Sequence, residues 1–176
     1  MRLFDEVRKL GRYLIRKRDE LEALDVKDAV MAKVILDIHR KKARKRVVSV
    51  PLFELRQIHT LDRDSAREAT AQRIKALQRC ESELLEAGTL TCELLAHHLP
   101  SVSWIKVVQE SEHAYLAFEG NGRIAAMQAV FSPADEMRVE VELYEFRNPT
   151  KVIRGLNRVR RLNGLLEQPA RDRTVA

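Results

Sequence analysis

Apolar positions along the chain change period several times, and each change predicts a change of element. Leu3, Phe4, Val7, Leu10, Leu14, Leu21 and Leu24 recur near helical spacing. Asp25 then reads as an N-cap, with Asp28 favouring the first turn of a second helix whose Val26, Val30, Val34 and Ile38 share a face. Together the two segments predict an antiparallel helical hairpin over residues 1–45. Its apolar stripe calls for a partner, either the rest of the chain or a second copy. At Val47-Val48-Ser49-Val50-Pro51-Leu52-Phe53 the composition turns strand-like, with Pro51 marking an edge or an end. A 3.6-residue period returns behind a cap at Asp62 or Asp64, through Ala66, Thr70, Ile74, Leu77, Leu84 and Leu85, and Gly88 is placed to end that helix. A short helix from Leu90 to His98 stops before Pro100.

The second half is more strand-rich. Trp104 to Val108 predicts a strand, Glu110-Ser111-Glu112 a turn, and His113 to Phe118 the returning arm of a hairpin. A glycine turn follows at Gly120 and Gly122, then an alanine-rich helix from Ile124 to Val130. From Met137 to Phe146 the chain alternates, with Val139, Val141 and Leu143 on one face and Arg138, Glu140 and Glu142 on the other. Pro149 opens a last helix to about Leu166, with Val152, Leu156, Val159 and Leu162 inward. The residues from Gln168 on read as a polar tail. The class is α+β: a small mixed sheet with flanking helices over 46–167, preceded by the hairpin and followed by the tail at 168–176.

Composition narrows the partners. The chain has 176 residues, 45% of them apolar and 33% charged, with a net charge of +6. An excess of positive charge favours anionic partners such as nucleotides, nucleic acid or acidic proteins. No apolar run approaches the roughly 20 residues of a membrane span, and the acidic residues near the N-terminus do not fit a secretory signal. Cys80 and Cys92 form no CxxC pair, which fits a reducing, cytoplasmic setting. No metal site is expected, because His97 and His98 are adjacent and cannot converge on one helix face.

The candidate chemistry sits at Glu119-Gly120-Asn121-Gly122-Arg123. Strand, glycine turn and helix start occur in that order, which presents free amides and the positive end of a helix dipole at one spot. A guanidinium in the first turn can fork onto phosphate or carboxylate oxygens. The competing reading is a tight connection in which Arg123 pairs with Glu119. Asp62 and Asp64, close to Gln57 and His59, read either as helix caps or as a general base or Mg²⁺ ligand. Two basic stretches stand out. Arg40 to Arg46 carries six cations in seven residues, and Arg147, Lys151, Arg154, Arg158 and Arg161 form a stripe on the last helix. Arg44, Lys45, Arg46, Lys151, Arg154, Arg158 and Arg161 are therefore candidates for nucleic-acid contact, against the alternative of a solvated face.

The element order and the five-residue box resemble the ParB/sulfiredoxin-like superfamily over roughly residues 47 to 146. The Val50-Pro51-Leu52 start resembles the first strand of ParB N-terminal domains, and Glu119 to Arg123, followed by Ala125 and Ala126, is similar to the arginine-containing boxes of that superfamily. The resemblance implies that Gly120, Asn121, Gly122 and Arg123 cradle the phosphates of a nucleotide (ATP, ADP or CTP) with Mg²⁺, and that a kinase or NTP-hydrolysing activity or a nucleotide-gated switch follows. Asn121 stands where sulfiredoxins carry their reactive cysteine, so reduction of a sulfinic acid is not implied. Other roles read from the residues are a basic DNA- or RNA-binding accessory protein and a module that dimerises through the N-terminal helices.

Overall fold

The computed structural model describes residues 26–99 and 103–166. The first arm of the N-terminal hairpin and the C-terminal tail lie outside the described residues. The second arm is a helix, α1 (Val26–Lys41), followed by β1 (Arg44–Pro51), a 3₁₀ turn at Leu52–Glu54 and β2 (Leu55–Gln57). Next come α2 (Asp64–Arg79), α3 (Glu81–Ala87), β3 (Thr89–Leu90) and α4 (Cys92–His98). The chain continues through β4 (Lys106–Ser111), β5 (Ala114–Glu119), α5 (Asn121–Val130), β6 (Arg138–Glu145) and α6 (Thr150–Leu162). This is an α+β arrangement with a six-stranded mixed sheet between two helical layers.

The sheet runs in the order β1-β6-β4-β5-β2. The long antiparallel pair β1/β6 runs from Arg44 opposite Glu145 to Pro51 opposite Arg138. On its other edge β6 takes two short parallel partners in succession, β3 at Arg138 and Val139 and β4 at Glu142 and Leu143. The β4–β5 hairpin is antiparallel, and β2 adds to β5 in parallel.

Side-chain alternation divides the core into two layers. On one face Val139, Val141, Leu143, Val107 and Ala117 pack with Leu77, Leu84, Leu95, Ile124 and Met127 of the helices α2 to α5. On the other, Val108, Leu116, Phe118 and Tyr144 meet Ile38 of α1 and Val152, Leu156 and Val159 of α6. Burial on both faces explains why β5 reads as an unbroken apolar run rather than an alternating one. The helices α1 and α6 cross closely at Val34 and Gly155, where an added Cβ would stand 3.1 Å from Val34 Cγ2.

Several expectations need correction. The first strand begins at Arg44, not Val47, so half of the basic run is sheet rather than helix end or linker. The predicted helix ending at Gly88 is two helices, broken at Cys80, whose φ of −119° and ψ of 18° leave the helical region. Gly88 does end the second of them with a left-handed φ of 64°. Neither Asp62 nor Asp64 caps α2, since Arg63 occupies the N-cap position and no side chain bonds there. Leu162 is exposed instead of inward. The strand β2, only three residues long, carries no readable period.

Candidate functional site

The turn between β5 and α5 is built by its own small residues. Gly120 has φ of 95°, and a Cβ there would lie 2.9 Å from Ile105 Cγ1 and 3.1 Å from Arg123 Nη2, so neither the conformation nor the space admits a side chain. Asn121 begins α5 but faces inward. Its Oδ1 accepts from the Ile58 amide at 2.8 Å, and its Nδ2 donates to the Ala117 carbonyl at 3.0 Å. The Asn121 side chain is thus a clamp between β5 and the end of β2, and only its main chain faces the turn's mouth.

Arg123 is buried, with 7% of its surface exposed. Its guanidinium donates to the Ser103 carbonyl, to Ser103 Oγ at 3.1 Å and to the Trp104 carbonyl at 3.5 Å. Burial pulls its pKa below the usual arginine value, Glu119 opposes that shift, and the like charge of Arg73 adds to it. The expected pairing of Arg123 with Glu119 is not a direct contact, because Glu119 Oε2 accepts from Lys106 Nζ at 2.6 Å. Glu119, itself bonded to Lys106, still acts on Arg123 through space, and Arg73 brings a second guanidinium close enough from α2 to repel it.

Beside the turn lies a cleft of about 330 Å³, lined by Gly120, Gly122, Arg123, Thr70, Arg73 and His59 among others. Gly122 sits against α2 so closely that a Cβ would be 3.1 Å from Thr70 Oγ1 and 3.4 Å from Arg73 Nη1. The helices can approach this far because the facing positions are small, with Ala66, Ala69 and Thr70 on one side and Gly122 on the other. The half-buried Arg73 makes no hydrogen bond or ion pair among the described residues. The amides of Asn121 and Gly122 at the start of α5 have no intrahelical acceptor, whereas that of Arg123 donates to the Gly120 carbonyl at 3.0 Å.

A second cleft, of about 440 Å³, shares the wall formed by His59, Leu61 and Ala66 and extends to Met31, Asp62 and Asn163. Thr60 Oγ1 donates to Asn163 Oδ1 at 3.3 Å and ties this loop to the end of α6. Asp62 lines this second cleft, whereas Asp64 is solvent-exposed and paired with Arg67 at 2.6 Å, in the lining of neither. Among the described residues no group of three potential metal ligands occurs.

Of the residues singled out from sequence, Gly120, Asn121, Gly122 and Arg123 do meet in one place, though Asn121 and Arg123 spend their side chains on the scaffold. Arg73 was not anticipated. Its only signal was a stretch of small residues one turn earlier on α2. The second half of the first basic run is engaged by acids of β6: Arg44 and Arg46 bind Glu145 at 2.7 and 2.8 Å, and Lys45 binds Glu142 at 2.6 Å. No family model matches the chain, and neither a curated protein nor a solved structure matches it.

Proposed function

We propose that the cleft at the start of α5 binds the phosphates of a nucleotide. The observation that carries this reading is the unpaired guanidinium of Arg73, held against Gly122 at the positive end of α5 and within repulsive reach of Arg123. Two guanidiniums at a helix start kept open by glycine, with Glu119 as a nearby carboxylate that Lys106 already shares, are stabilised by an anion placed between them. Arg73 would supply the forked contact and the α5 amides the remainder. Arg123 would add its positive charge while holding the Ser103–Trp104 segment in place.

The second cleft favours a nucleotide over a bare phosphate. It continues from the phosphate position past His59 and offers apolar wall at Met31, Leu61 and Ala66, with polar ends at Thr60 and Asn163. Mg²⁺ bound with a nucleotide needs only one or two carboxylates besides the phosphates, and of the two carboxylates on that wall Asp28 is paired with Arg63 at 2.7 Å, which leaves Asp62. The ParB/sulfiredoxin-like resemblance supports the same placement. Its box falls at a strand-to-helix junction of a mixed sheet, and the fold assignment to that superfamily rests on the box and the element order.

Titration calorimetry of the full chain with ATP, ADP and CTP, each with and without Mg²⁺, tests the proposal. Saturable binding that weakens at least tenfold in Arg73→Gln is expected. Absence of heat at millimolar nucleotide, or equal affinity in the variant, overturns it. Release of inorganic phosphate in the same samples distinguishes a nucleotide-gated switch from an NTP-hydrolysing enzyme.

A further inference from the structure

The cations that the sequence marks out as candidates for nucleic-acid contact fall into two groups that the sequence does not separate. Arg44, Lys45 and Arg46 are neutralised by acids of β6. Arg160, on the inner side of α6, packs near Glu110 at 3.9 Å and Asn157 at 3.2 Å, and Arg56 reaches the same carboxylate. Arg147, Lys151, Arg154, Arg158 and Arg161 have no hydrogen bond or ion pair among the described residues. Four of the five lie on α6, spaced by three or four residues, on the face turned away from the apolar stripe of Val152, Leu156 and Val159.

The sequence of α6 contains no acidic residue, although a helix start favours one. Like charges three and four positions apart, as in Lys151, Arg154 and Arg158, weaken the helix that carries them. At the beginning of α6 the array widens into a hollow of about 650 Å³ lined by Lys41, Lys42, Phe146, Arg147, Asn148 and Lys151. Two further cations therefore join it from α1 and the segment after it. Lys41 is shared with Asp37 at 3.1 Å, and Lys42 lies over the Tyr144 ring at 5.4 Å.

We propose that this outer face of α6, with the hollow at its start, binds the phosphate backbone of a nucleic acid. From Lys151 to Arg161 the array is a straight rod of charges about 15 Å long at the helical rise, suited to a linear polyanion. Four of its five members are arginines, whose planar forks match phosphate oxygens. A membrane-surface helix would need bulky apolar residues on the same exposed side. Here Lys151, Arg154 and Arg158 occupy the exposed positions, and Leu162 at the very end is the one exposed large apolar residue of the helix. The site lies on the layer opposite the cleft at α5 and does not depend on nucleotide binding there.

Fluorescence anisotropy of the full chain with a labelled duplex DNA and the matching duplex RNA tests the proposal. Five phosphate contacts predict a log–log salt slope of about −4.5 on DNA, or about 500-fold weaker binding at 200 mM than at 50 mM salt. In Arg154→Glu/Arg158→Glu affinity should fall more than tenfold and the slope flatten by about 2. The control, Arg67→Glu/Arg79→Glu, makes the same change in net charge on α2 and should bind within about twofold of the parent. Equal loss in both doubles, no binding at 50 mM salt, or a flat salt dependence overturns the proposal. So does tighter association with phosphatidylserine-containing vesicles than with either duplex. Both doubles alter exposed side chains, and Arg154→Gln/Arg158→Gln, losing affinity without charge reversal, guards against a folding defect.

Discussion

The Asn121 side-chain oxygen accepts a 2.8 Å hydrogen bond from the amide of Ile58, a residue 63 positions earlier. The nitrogen of that side-chain amide donates to the carbonyl of Ala117, four residues back on β5. One buried side chain thus joins the end of β2 to the end of β5 and sets where α5 begins. Asn121→Ala should lower stability by roughly 2–4 kcal/mol, since it strands a buried donor and a buried acceptor. Urea unfolding measures this, and a change under about 0.5 kcal/mol would contradict the clamp.

Gly120 should tolerate no other residue. Gly120→Ala forces a left-handed conformation costing about 1–2 kcal/mol and a 2.9 Å approach to Ile105 Cγ1, for which overpacking adds roughly 1–3 kcal/mol. The denaturation midpoint should fall accordingly. A wild-type midpoint would mean that the turn is looser than described.

The two arginines of the cleft should separate in their effects. Arg123→Gln removes donors from the Ser103 and Trp104 carbonyls and should destabilise by about 1–3 kcal/mol. Arg73, which has no such partners, should leave stability within about 0.5 kcal/mol when changed to Gln. Thermal melts of the two variants without ligand make the comparison. Equal losses would assign Arg73 a structural role.

Tyr144 predicts an alkaline limb. Burial, aided by its hydrogen bond to Glu142, pushes its pKa up to about 12 from 10.0. A folded pKa above the unfolded one contributes stability that is complete below pH 10 and is lost as pH rises toward about 12. Tyr144→Phe should therefore flatten the loss of stability in that window. Urea midpoints across the alkaline range supply the readout, and parallel pH curves for the two proteins would exclude the assignment.

Glu142 predicts the acid counterpart. Burial raises its pKa, but the hydrogen bonds of Lys45 and Tyr144 and the charges of Lys45 and Lys106 outweigh that effect and hold it below the ordinary 4.5. Such a carboxylate adds stability that is present above pH 4.5 and disappears as pH falls through the folded value. Lys45→Met leaves burial less opposed, so acid unfolding followed by circular dichroism should begin at higher pH. Coincident acid transitions would count against it.

Much of the architecture is legible in local pattern. The β4–β5 hairpin, the alternation of β6, the amphipathic stripe of α6 and the left-handed glycine after α3 all follow from side-chain period and backbone sterics, which act over a few residues. The strand β2 and the true start of β1 were not legible. A three-residue strand shows no period, and Arg44 to Arg46 look like a solvated run until Glu142 and Glu145, about a hundred residues away, stand opposite them.

The same division holds at the site. That a glycine turn leads from strand to helix, with an arginine in its first turn, was determined by residues 119–123 alone, because glycine conformation and the helix dipole are local properties. The direction of Asn121, the burial of Arg123 against Ser103 and the arrival of Arg73 from α2 were decided only by tertiary packing. Charges and hydrogen-bond donors act through space, and no spacing along the chain records which of them a fold brings face to face. That is also why two basic stretches of similar appearance part company, Arg44 to Arg46 of one neutralised within the sheet and the other left open along α6.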